Sequence, residues 1–144
     1  SVFSYVNDST GPDGSPEFRI YDQDSRTNEP VGYPPLSLLA EKSIDLAVLC
    51  VGGDFSRLRR HPEGIVERTR PRFILLGHWE DFFVGQDAHE LDRRVYEIPP
   101  ANERKTAWFL SRVRKAAPSG TTVWLPCPSR SIFEIPVEAR PTPR

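Results

Sequence analysis

Hydrophobic positions in this chain fall into short apolar runs separated by polar, turn-rich gaps, and the runs follow a strand–helix order. Val2 to Val6 alternates apolar with polar, as an edge strand does. Asn7 to Pro16 concentrates Asp, Ser, Thr, Gly and Pro, which predicts a turn or hairpin loop, and Phe18 to Tyr21 reads as the next strand. Prolines exclude regular helix from Arg26 to Pro35, after which Leu36 to Glu41 reads as a short helix. Ile44 to Val51 is nearly continuous in apolar residues, the signature of a central strand, and Gly52-Gly53 closes it.

The second half continues in the same way. Pro62 stands at a suitable first position for a short amphipathic helix carrying Ile65, Val66 and Thr69. Phe73 to Leu76 reads as a buried strand ending at Gly77-His78, and Val95 to Ile98 as another short strand. Asn102 suits the N-cap of a helix reaching about Ala117, with Ala107, Leu110, Val113 and Arg114 on one side. Thr121 to Leu125 and Ile132 to Val137 read as closing strands around Pro126-Cys127-Pro128-Ser129. The proline-rich tail, Ala139 to Arg144, is expected to fray. No internal repeat breaks the pattern. The fold class expected is α/β (α+β) in one domain.

Composition narrows the function classes. A chain of 144 residues can bury a real core. Its 19 basic and 20 acidic residues leave a net charge of −1, which predicts no general attraction to nucleic acid or to anionic membranes. Arg57, Arg59, Arg60, Arg68, Arg70 and Arg72 crowd one region, but Glu63 and Glu67 interrupt them, so a solvated helix face is expected there. No apolar run is long enough to span a bilayer, and no signal-peptide pattern opens the chain. The chain begins at Ser1 and contains no methionine, so a processed or truncated amino terminus is expected, and the compartment stays open between cytoplasm and export. Cys50 and Cys127 lie far apart, each in or beside a strand-like run, and each reads as a buried free thiol or as one half of a single disulfide.

Two residues stand where chemistry is placed. In open α/β sheets, ligand sites lie just outside the carboxyl ends of strands. His78 follows the run Phe73-Ile74-Leu75-Leu76-Gly77, and Asp24 follows Phe18 to Tyr21 with Gln23 and Ser25 beside it to orient a carboxylate. Imidazole is the commonest protein metal ligand. Each residue also has an ordinary reading, His78 as a hydrogen-bonded structural side chain and Asp24 as a turn former. Glu80 and Asp81 read as helix-start charges, and Trp79, Phe82 and Phe83 as aromatic packing for that helix. His61 and His89 read as surface residues.

The segment Asp45-Leu46-Ala47-Val48-Leu49-Cys50-Val51-Gly52-Gly53, followed by a short helix and by Arg70-Pro71-Arg72-Phe73-Ile74-Leu75-Leu76-Gly77-His78-Trp79-Glu80-Asp81-Phe82-Phe83, resembles the carboxyl half of metallo-β-lactamase-fold hydrolases. Phe18-Arg19-Ile20-Tyr21-Asp22-Gln23-Asp24-Ser25 is similar to the strand that delivers that family's bridging aspartate. The resemblance implies half of an α/β/β/α sandwich over residues 1–138, with a zinc site of one or two ions in the complete domain. Asp24 would be the carboxylate shared between metals and His78 the late histidine of the second site. The family's His-x-His-x-Asp-His motif is not in this sequence, so Asp24 and His78 supply only two ligands where a catalytic zinc takes about three and an open water position.

Three readings follow. The chain is the carboxyl-terminal portion of a zinc-dependent metallo-hydrolase, inactive without a missing amino-terminal half or a complementary chain. In that setting a metal-bound hydroxide attacks an ester, amide, lactone or phosphoester of a small-molecule substrate. Alternatively it is a degenerate, non-catalytic interaction module that keeps the fold, or an ordinary α/β domain in which both residues are structural. The first is favoured, because decay that removed the upstream motif should have erased Asp24 and His78 as well.

Overall fold

The computed structural model describes residues 3–51, 58–78, 103–126 and 134–135. Within them the chain runs β1 (Ser4–Thr10), β2 (Pro16–Gln23), α1 (Leu36–Glu41), β3 (Leu46–Cys50), α2 (Glu63–Thr69), β4 (Phe73–Gly77), α3 (Glu103–Ala116) and β5 (Thr122–Trp124). The strands form one sheet in the order β1-β2-β3-β4-β5. The first pair is antiparallel, and every later pair is parallel. Gly14, at φ 80°, turns the β1–β2 hairpin through a conformation that costs glycine little.

A sheet whose parallel strands follow sequence order, joined by crossovers of one hand, puts its connecting helices on one face. The packing agrees. Tyr21, Ala47, Leu49, Ile74 and Leu76 join Ile65 and Val66 of α2 and Phe109 and Val113 of α3 in one buried cluster, with Leu39 of α1 against it. Alternate residues form a second cluster on the other face: Phe18, Leu46 and Phe73, with half-buried Ile20, Val48, Leu75 and Trp124. Among the described residues outside the sheet, Ile135 packs against this second cluster. The period of two thus makes β2, β3 and β4 apolar on both sides.

Beside the start of β3, an ionic network centres on the buried Arg19 and Asp45. Arg19, 2% exposed, donates to both carboxylate oxygens of Asp8 at 2.6 and 2.7 Å and to the carbonyls of Leu38 and Lys42 at 2.6 and 2.9 Å. Asp45, also buried, accepts the Arg19 backbone N–H at 2.9 Å and pairs with Lys42 at 2.9 Å. These bonds fix β1, β2, α1 and β3 to one another. The hydrogen bond to Arg19 holds the Asp8 carboxyl below its ordinary pKa.

Several sequence expectations are corrected. The first strand lies at Ser4–Thr10 instead of Val2 to Val6, because it pairs along the whole of β2. The arginine cluster is not one helix face: of its described members only Arg68 lies in α2, Arg70 is the helix C-cap and Arg72 leads into β4. Arg60, Arg68 and Arg72 pair with Glu67, Glu29 and Asp45. Of Ile132 to Val137, only Glu134 and Ile135 are described, and neither is in a strand. The expected strand at Val95 to Ile98, the charges Glu80 and Asp81, the aromatics Trp79, Phe82 and Phe83, His89, Cys127 and the tail lie outside the described residues. Among the described residues no helix is long and apolar enough to cross a membrane.

Candidate functional site

Asp24 and His78 sit at the carboxyl ends of β2 and β4, one residue past each strand or its last pairing residue. Between them lies the end of β3, where Cys50 pairs with Gly77. The side-chain alternation that puts Leu46 and Val48 on the second face also carries Cys50 there. Ile20 and Asp22 share that face through their pairings with Leu46 and Val48. Asp24, Ser25, Arg26, Cys50 and His78 together line a pocket of about 340 Å³. Two residues distant in sequence thus meet at one edge of the sheet.

The backbone presents His78 outward. Its φ of 54° is a left-handed conformation that a non-glycine residue rarely adopts, and it ends β4 while leaving the imidazole exposed. Asp24 is exposed as well, and the Ser25 hydroxyl donates to its carboxylate at 3.3 Å. Asp22, half-buried in the apolar row, has its pKa raised, first by burial and then by the Asp24 carboxylate, while His78 opposes the shift. Asp22, Asp24 and His78 therefore share one electrostatic neighbourhood.

Sequence reasoning missed Asp22, Arg26 and the placement of Cys50 in the pocket wall. The signal was present for two of them: Asp22 and Asp24 are two apart, as are Val48 and Cys50, and the period of two carries each pair onto one face. Cys50 is buried, as its sequence context suggested. Arg26 lies in an irregular loop with no periodicity to place it.

His61 corrects the sequence reading. It is fully buried at the start of α2, its ring 5.6 Å from that of Phe109. Burial pushes its pKa down to about 4, the Arg26 charge adds to the effect, and Glu63 and the Cys50 backbone oppose it. Phe109 of α3 packs against an imidazole that its polar neighbours in sequence made look superficial.

As donors, an Asp carboxylate and a His imidazole suit zinc, and a Cys thiol lines the same pocket. Among the described residues, no group of three His, Cys, Asp or Glu side chains is placed to hold a metal ion. The pocket therefore offers a partial donor set. Comparisons with protein-family models, curated proteins and solved structures gave no match to this chain.

Proposed function

We propose that the chain supplies the carboxyl half of a zinc-dependent hydrolase acting on a small molecule, with Asp24 and His78 as two of its metal ligands. The observation that carries this reading is that both line one pocket at the carboxyl ends of parallel strands. The half-sandwich reading draws on the second sheet face, where Ile20, Val48, Leu75 and Trp124 are half-buried around the buried Phe18, Leu46 and Phe73. A second sheet laid on this face would bring its own residues to the same edge, as an α/β/β/α sandwich requires. The remaining ligands would come from an amino-terminal half or a complementary chain.

The chemistry zinc supplies in such a site is Lewis acidity and a hydroxide nucleophile at neutral pH. In this proposal Asp24 and His78 would hold the metal. Ser25 steadies the Asp24 carboxylate by its 3.3 Å hydrogen bond. Arg26 brings a positive charge to the wall of the pocket, suited to an anionic group on a substrate. Ester, amide, lactone and phosphoester bonds are the reaction classes this machinery serves. The competing reading, a non-catalytic interaction module, draws on the lack of a third ligand among the described residues.

The test is complementation. Co-production with an amino-terminal polypeptide carrying His-x-His-x-Asp-His should yield a complex that hydrolyses a generic ester or phosphodiester. His78→Ala and Asp24→Asn should each reduce that rate by about a hundredfold or more. A complex whose activity is indifferent to both substitutions would overturn the site, and one that assembles without activity would favour the interaction module.

A further inference from the structure

We propose that a cleft at the opposite end of the sheet, between the carboxyl end of α2 and the turn before β5, binds a phosphate group. The cleft has a volume of about 280 Å³, and its walls include Arg70, Arg72, Phe73, Ser119, Gly120 and Thr121. It lies at the amino ends of β4 and β5, whereas Asp24 and His78 stand at the carboxyl ends of their strands. The inference is therefore independent of the hydrolase reading.

The walls are held in place by the backbone. Thr121 Oγ1 donates to the Pro71 carbonyl at 2.9 Å, and the Thr122 N–H donates to the Arg72 carbonyl at 3.0 Å, so the two sides are pinned together. Gly120, at φ 87°, turns the chain without roofing the cleft, since a Cβ there would meet nothing within 4 Å. Arg72 lies 5.2 Å over the Phe73 ring and 3.7 Å from the Asp45 carboxylate, contacts that fix a long side chain before any ligand arrives. Asp45 is also paired with Lys42, which offsets its field on the cleft.

Arg70 gives the second observation. It caps α2 at φ 44° and ψ 53°, its N–H donating to the Val66 carbonyl at 2.9 Å. Glycine is the usual residue there, and any other costs about 1 kcal/mol. Arg70 is exposed and lines the cleft, which puts a second arginine beside Arg72. Guanidinium forks match phosphate oxygens bidentately, and the Ser119 hydroxyl adds a donor. Among the described residues no acidic side chain lines the cleft. Phe73, stacked on Trp124 and lying under Arg72, is buried, so recognition falls to the phosphate oxygens alone.

The test is a titration of the 144-residue chain with inorganic phosphate, phenyl phosphate and acetate at constant ionic strength, followed by amide shifts in ¹H–¹⁵N spectra. Saturable shifts at Arg70, Arg72, Ser119 and Thr121 are expected, with inorganic phosphate and phenyl phosphate binding alike and acetate weakest. Arg70→Gly removes a guanidinium while relieving the backbone, so it should remain folded and bind phenyl phosphate about tenfold more weakly. Ser119→Ala should lose a smaller factor. The proposal is overturned if the shifts do not saturate, if Arg104 and Lys105 on α3 shift as much, if acetate binds equally well, or if Arg70→Gly binds like the parent.

Discussion

Individual side chains in this protein owe their behaviour to burial more than to type. His61 and His78 are both histidines beside a turn, yet His61 is sealed beneath the helical layer and His78 faces solvent. The His61 pKa of about 4 lies below the unfolded value near 6.5, so the unfolded chain takes up the proton first as pH falls. Its contribution is fully present above about pH 6.5 and is lost as pH drops toward 4, amounting to about 3 kcal/mol. Denaturant midpoints measured from pH 7 to pH 4 should show this loss, and His61→Leu should flatten that part of the profile. Arg19 is the opposite case, a buried charge satisfied by Asp8 and two carbonyls. Arg19→Met should destabilise the fold by about 3 kcal/mol, read from urea unfolding, because both carbonyls lose their donor.

At the scale of elements, hydrophobic period made most of the architecture legible. Leu36–Glu41 is a helix at the expected bounds, and β3, β4, β5 and α3 fall within a residue or two of theirs. Local pattern did not give the extent of β1, which is set by pairing with β2 across a turn that only Gly14 and its neighbours define. Nor did it give the burial of His61, which depends on α2 and α3 packing together over it. Asp24 and His78 were legible because glycine or a polar cluster marks the end of each strand; Arg26 was not, since loops carry no period. The α2 cap allows a direct check. Arg70→Gly should raise stability by about 1 kcal/mol, seen as a higher denaturant midpoint with an unchanged slope.

For the whole molecule, the two sheet faces have different fates. One is buried under α1, α2 and α3; the other presents Ile20, Val48, Leu75 and Trp124 half-buried beside the pocket. If, as proposed, a second sheet covers that face, Leu75→Glu should lower the stability of the 144-residue chain by about 1–2 kcal/mol without unfolding it, yet abolish co-purification with an amino-terminal half. The metal assignment itself is tested most directly by titrating zinc into the 144-residue chain while following the histidine ring signals by NMR. Zinc should bind weakly, perturb His78 and leave His61 unmoved, and Asp24→Asn should remove the response at His78. A response at His61 with none at His78, or a His78 response indifferent to Asp24→Asn, would contradict the shared site.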